Sequence, residues 1–406
     1  MRALLRVACA AALLACSDAS PAPVAVIPQR RPVPAIPAPH GDSVQTYSRV
    51  DARPVPERIA DLVARGLAHV ALPADGYSLA TDAVHPDIAC PPDSWNGAKC
   101  WLMYTPYKNS DATYENPAFL VAASDTTWRT PPSVANPIVP YPGIGSYNSD
   151  PDHAFDPGTG RLIQVYRVVA DSFNKIMIMS TANARTWSNA TLAFKEKNHD
   201  AVSPSLIINS DRSAKLWYVR AGGQGCSAAA STVALRTAQP DSGQRFEQAD
   251  WSAPSPVDMV IPNYVIWHLD VTALPNDRGY VALVVAYQKG SSCSYSDLWL
   301  ATSGDGIHWR NFAMPLFWRT MKAATDRMIS TWYRGTMRYD AATDSLHIWP
   351  SALAGPSWII LHTAVKLSEV VDLLALAQPS DLKAVFALSA PVSAFSRALQ
   401  MPERMP

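Results

Sequence analysis

The chain has 406 residues, with 34 Lys and Arg balanced by 34 Asp and Glu, and it carries 35 Pro, 6 Cys, 13 Trp and 15 Tyr. Zero formal charge excludes the basic footprint of a sequence-independent nucleic-acid binder and of a patch that docks on anionic lipid. A charged fraction of 17% with this many aromatics excludes a disordered chain and implies a well-buried fold.

In chain order, residues 1–16 read as an export signal, with positive charge from Arg2 and Arg6 and an almost wholly apolar stretch Leu4–Ala15. Leu13-Leu14-Ala15-Cys16 resembles a bacterial lipobox, which implies lipidation at Cys16 and an outer-membrane or cell-surface lipoprotein. An ordinary cleaved signal, giving a periplasmic or secreted protein, is the alternative. No later apolar run reaches the roughly 18–20 residues of a spanning helix, so the expected membrane contact is the lipid anchor alone. Residues 17–56 hold nine prolines, the composition of a semi-rigid tether. Residues 57–80 are expected to form a lead-in with a short amphipathic helix at Glu57–Leu72. The tail, 367–406, is expected to be helical over Leu367–Ala377 and Ser380–Leu388.

Residues 81–366 repeat one plan five times: a short apolar strand, a polar turn, then a strand bearing an aromatic. The turns, among them Asp156-Pro157-Gly158-Thr159-Gly160 and Pro275-Asn276-Asp277-Arg278-Gly279, have tight-hairpin chemistry. The second-strand aromatics are Tyr104, Tyr166, Tyr218, Tyr287 and Trp349, and a third strand follows each. Five four-stranded units without intervening helices predict an all-β, five-bladed β-propeller with short flanking helices, expected to be monomeric. Thr181–Trp187 and Ser303–Trp309 share one spacing of small polar, Asp or Asn, and Trp residues. They resemble the Asp-box turn of sialidase-like propellers, a structural staple.

Export favours disulfides. Cys90 and Cys100 flank the first hairpin turn, where a cross-strand pair fits. Cys226 and Cys293 occupy matching loops after the second strands of blades three and four, where a bridge would stitch neighbouring blades. Buried free thiols are the alternative.

In a propeller, residues entering the first strands and those joining strands two and three converge on one face. Here that set holds His85, Asp87, Glu115, Asn116, Asp150, Asp152, Arg167, Trp267, His268, Asp270, Tyr333 and Arg334, residue types unusual for positions that are otherwise apolar. Two carboxylates facing across a sugar are what glycoside hydrolysis needs; crowding drives their pKa values apart and sorts acid from base.

The segments His85-Pro86-Asp87-Ile88, Trp95-Asn96-Gly97, Trp101–Tyr107, Tyr114-Glu115-Asn116-Pro117 and Tyr147-Asn148-Ser149-Asp150 resemble a bacterial and phage-associated group of propellers. That group is similar to the five-bladed enzymes typified by glycoside hydrolase family 43. The resemblance implies a carbohydrate substrate and carboxylate acid/base catalysis, with Asp150 and Asp87 as base and helper and Glu115 as acid. His85, Asn116, Asp152, Arg167, Trp267, His268, Asp270, Tyr333 and Arg334 would hold the sugar. No cofactor is expected beyond a structural calcium in the channel, and no catalytic metal: the histidines near four blade starts read as satisfied core residues. Two alternatives stay open. One is a non-catalytic glycan-binding or scaffold propeller. The other is a sialidase-like enzyme with Arg167, Arg220 and Arg334 as an arginine triad.

Overall fold

A computed structural model describes residues 51–74, 82–170, 172–321 and 328–387; the export signal, Cys16 and most of the proline-rich stretch lie outside them. Helix α1 (Val55–Ala64) and strand β1 (Ala68–His69) come first. The helix is shorter than its amphipathic pattern suggests, because Arg65–Leu67 turn the chain into β1.

Five four-stranded antiparallel sheets follow. Blade one holds β2 (Ala83–Ala89), β3 (Trp101–Pro106), β4 (Ala118–Ala122) and β5 (Trp128–Arg129). Blade two holds β6 (Ser146–Asp156), β7 (Arg161–Ala170), β8 (Phe173–Thr181) and β9 (Thr191–Lys197). Blade three holds β10 (Val202–Ile208), β11 (Ala214–Arg220), β12 (Thr232–Ala238) and β13 (Ser255–Val257). Blade four holds β14 (Tyr264–Ala273), β15 (Tyr280–Gln288), β16 (Ser296–Ser303) and β17 (Trp309–Asn311). Blade five holds β18 (Ile329–Asp340), β19 (Ser345–Ala354) and β20 (Ser357–Lys366), and its outer strand is β1, with Ala68 opposite His362 and His69 opposite Leu361. The fold is a five-bladed β-propeller, closed by the N-terminal strand.

The reason is legible in the strands. Second strands such as Val281–Ala286 are apolar throughout and fully buried, as a strand covered on both faces must be. Tyr104, Tyr218, Tyr287 and Trp349 are buried between blades. Turns reach across seams: Trp217 Nε1 donates to Gly306 O at 2.8 Å, inside the β16–β17 turn where Asp305 Oδ1 accepts from the amides of Ile307 and His308. Gly279 has φ +96° and an added Cβ would meet Ser303 O at 2.2 Å, so that hairpin admits only glycine. Helix α2 (Leu367–Leu376) packs on α1, with Ile59, Val63, Val370, Leu373 and Leu374 joining the core of blades four and five; α3 (Pro379–Ala387) follows.

Cys90–Cys100 and Cys226–Cys293 are both disulfides, the second joining the loops of blades three and four. They fit an oxidising compartment such as the periplasm or the cell exterior. Among the described residues no helix is long and apolar enough to cross a membrane.

Candidate functional site

The inner strands β2, β6, β10, β14 and β18 line the channel, and each carries a register shift near its start. In the first three blades the bulged position is a non-glycine residue with positive φ: His85 at 52°, Asp150 at 48° and Ser203 at 54°. Bulges re-aim side chains, and strain of this kind gathers at functional sites. Here they stack the channel residues in two layers.

The deeper layer is a ring of hydrogen bonds running once around the propeller. The amide of His153 donates to Asp87 at 2.6 Å and that of Leu206 to Asp152 at 2.8 Å. The amide of Val271 donates to Ser205 at 2.9 Å, that of Met337 to Asp270 at 3.2 Å, and that of Ile88 to Thr336 at 3.3 Å. Each blade thus offers one acceptor side chain to the inner-strand backbone of the next. His153 Nδ1 also bonds Asp87 Oδ2, and Thr336 donates to Asp87 Oδ1 at 3.3 Å. Arg334, fully buried, donates to Asp152 Oδ2 and to Pro204 O, both at 3.0 Å. Burial and the nearby Asp87 charge push Asp270 up to about 8 and raise Asp152 well above the usual carboxylate range, against the pull of Arg334.

The upper layer differs in kind. His85 Nε2 lies 3.2 Å from Asp150 Oδ1, and His268 Nδ1 lies 3.5 Å from the same oxygen. None of these atoms has a hydrogen-bond partner among the described residues, and His268 Nε2 has none either. His85 is held through Nδ1, 2.9 Å from Thr105 Oγ1, which leaves Nε2 open, whereas His268 has neither ring nitrogen bonded among the described residues. Burial foremost drives both imidazoles to the neutral form, His85 down to about 3 and His268 well below its ordinary value. Burial also opposes the Asp150 charge, but Arg167, whose Nε is 3.1 Å from Asp150 Oδ2, holds the carboxyl well below its usual range. Asp150 Oδ2 also accepts the amide of Ser203 at 3.1 Å, which leaves Oδ1 facing the histidines.

Glu115 stands beside this trio, with Oε2 at 3.7 Å from His85 Nδ1 and a hydrogen bond from Ser149 Oγ. Burial pushes it up to about 8, the Asp150 charge adding to the rise and Arg167 opposing it. Asn116 holds the Glu115 loop: its Nδ2 donates to Thr113 O at 2.9 Å and its Oδ1 accepts from Asn148 at 2.8 Å.

Aromatics pack around this trio. The Tyr333 ring lies 4.5 Å from His268, 5.4 Å from His85 and 5.2 Å from Trp358. Its hydroxyl accepts from Trp267 Nε1 at 3.1 Å. Tyr107 lies 6.2 Å from Trp358 and His199 6.4 Å from Trp267. Trp358 and Ser149 were not singled out from sequence; Trp358 sits in a third strand and reaches Tyr333 only because the blades converge.

His85, Glu115, Asp150, Arg167, Trp267, His268 and Tyr333 thus come together, while Asp87, Asp152, Asp270 and Arg334 lie one layer deeper. The arginines do not converge as a triad: Arg167 pairs with Asp150, Arg334 with Asp152, and half-exposed Arg220 with Asp200 at 3.7 Å.

No protein-family model matches the chain. It is 24% identical over 316 residues to the A type blood N-acetyl-alpha-D-galactosamine deacetylase of Flavonifractor plautii. That alignment covers 66% of this chain and 40% of the relative, so the chain spans about two fifths of the curated relative it matches. Among solved structures, an N-acetylgalactosamine deacetylase from F. plautii in complex with blood group B trisaccharide aligns with a TM-score of 0.66. Its identity is 19%, over 77% of this chain and 98% of that one. The catalytic domain of a GH62 alpha-L-arabinofuranosidase from Coprinopsis cinerea aligns at 0.50 with 11% identity, over 73% and 95%. A thermostable family-43 glycoside hydrolase aligns at 0.48 with 10% identity, over 70% and 89%. With the deacetylase structure the chain shares its overall fold.

Proposed function

We propose that the channel mouth is a hydrolytic site that removes an N-acetyl group from an amino sugar of a glycan, with a divalent cation held by His85, Asp150 and His268. The observation that carries this reading is the convergence of two neutral imidazoles and one ionised carboxylate, all with unpartnered atoms, beside a carboxyl whose pKa is near neutrality. Two imidazoles and a carboxylate suit zinc, iron or manganese. When bound, such a cation supplies Lewis-acid polarisation of a carbonyl and a more acidic water.

The chain's own residues divide the remaining work. Glu115, with its carboxyl at about 8, takes a proton from the attacking water and delivers it to the departing amine nitrogen, a task favoured by a pKa near the working pH. The water oxygen joins the acetyl carbon as the carbon–nitrogen bond breaks, releasing acetate and a free amine. Arg167 keeps Asp150 ionised. Trp267, Tyr333, Tyr107 and Trp358 offer aromatic faces to the sugar ring. The N-acetylgalactosamine deacetylase similarity supports the substrate class.

Glycoside hydrolysis by Asp150 and Glu115 is the second reading, favoured by the opposite shifts of their carboxyls. Against it, the His85 imidazole stands between them, 3.2 Å from one and 3.7 Å from the other, where a glycosidase needs the sugar. The test incubates the purified full chain, with and without chelator, with N-acetylhexosamine-terminated glycans, arabinans and xylans, and measures acetate and reducing sugar separately. Acetate release that chelation and Glu115→Gln abolish is expected. Reducing sugar without acetate would overturn the reading in favour of a glycosidase.

A further inference from the structure

Blade five is where the ring closes, and its outer strand β1 makes two residue pairs with β20. On the adjoining seam with blade one, two histidines and an aspartate meet. His347 (β19) and His362 (β20) face each other with Nδ1 and Nε2 3.2 Å apart. Asp125, in the β4–β5 turn of blade one, places Oδ2 3.6 Å from His347 Nδ1. We propose that Asp125, His347 and His362 form a binding site, separate from the channel, for a zinc-class divalent cation that ties blade five to blade one.

The geometry fits the ion. Two nitrogens on a tetrahedral zinc, each about 2.0–2.1 Å from the metal, lie about 3.3–3.4 Å apart, close to the observed separation. One ligand atom from each of the three residues lies within 4.8 Å of the other two. Imidazole donors select a transition cation over calcium or magnesium, which prefer all-oxygen shells.

The scaffold is already rigid. The Trp349 indole lies 5.8 Å from the His347 ring and 4.7 Å from the His362 ring. Its Nε1 donates to Asp125 O at 2.8 Å, so one side chain positions all three ligands across the seam. Burial drives His362 down to about 4 and lowers His347 too. The surrounding charges are Arg338, 3.7 Å from Asp125 Oδ1, with Asp340 and Lys99 acting on His347. Arg338 engages the Asp125 oxygen that the cation would not use. Asp125 is half-exposed, which leaves a path for the ion.

Equilibrium dialysis of the full chain against Zn²⁺ at pH 7, beside the double variant His347→Ala/His362→Ala, reads the site as a difference. The wild type is expected to hold one more zinc per chain, and zinc is expected to raise its thermal midpoint by more than it raises the variant's. The difference is independent of whether the channel also binds metal. Asp125→Asn alters a half-exposed side chain and removes a ligand, so it should weaken this zinc by at least the roughly 10–100-fold that losing an outer-shell partner costs. Equal zinc stoichiometry in wild type and the double variant, or equal affinity in wild type and Asp125→Asn, would overturn the proposal and leave the histidines as a hydrogen-bonded pair only.

Discussion

Asp150 Oδ2 is tied to Arg167 and to the Ser203 amide, while Oδ1 faces His85 and His268 without a hydrogen bond. One oxygen is therefore structural, and the other is available to a ligand. Asp150→Asn should accordingly act twice. It leaves a buried guanidinium unpaired, costing about 3–5 kcal/mol of stability, and it removes the carboxylate from the trio. Chemical denaturation should show a lowered midpoint, with acetate release lost even where the variant is folded.

Glu115→Gln separates chemistry from folding. Removing a positioned proton-transfer group typically costs about 10²–10⁴ in rate. Acetate release should fall by that much, with sugar binding retained in a direct titration.

The pH dependence of stability follows from the same carboxyl. Glu115 is raised to about 8 from an ordinary 4.5, so the folded state holds a proton that the unfolded chain has released. Its contribution is fully present below about pH 4.5 and is lost as pH rises towards 8. Asp270, raised to about 8, acts with the same sign. The depressed imidazoles His85, His268, His347 and His362 act with the opposite sign below about pH 6.5, so the carboxyls alone set the slope only above about pH 7. Denaturation of the metal-free wild type between pH 7 and 8 should show falling stability, and Glu115→Gln should flatten the slope.

The propeller was legible because its marks are local. Hairpin turns and second-strand aromatics recur whatever the three-dimensional register, and paired cysteines sat at turns or in matching loops. The closing strand was not legible: Ala68 and His69 have no periodicity, and their pairing with β20 depends on the finished ring. Glu115, Asp150, His85 and His268 were visible as unusual polar residues near blade starts. Their arrangement was hidden by the bulges, which align Asp150 with His85 and Asp87 with Asp152. Asp87 thus accepts hydrogen bonds in the ring, and an imidazole, not a second aspartate, stands beside Asp150.

The ring itself is testable at Ser205, which accepts the Val271 amide. Ser205→Ala leaves that buried donor unpaired and should cost about 1–3 kcal/mol. Urea unfolding should register the loss with acetate release per folded molecule unchanged.

The Cys226–Cys293 bridge fastens blades three and four. Replacing both cysteines with serine should lower stability by about 2–5 kcal/mol, read as a lower thermal midpoint that reductant no longer affects at this seam.

The central claim is that His85, Asp150 and His268 hold a cation at the mouth of the channel. Anomalous diffraction at the manganese or cobalt edge, from crystals of the full chain grown with that ion, tests it most directly. The account predicts a peak bounded by His85 Nε2, Asp150 Oδ1 and a His268 ring nitrogen, with Glu115 alongside. Crystals saturated with the ion but showing no peak there would contradict it.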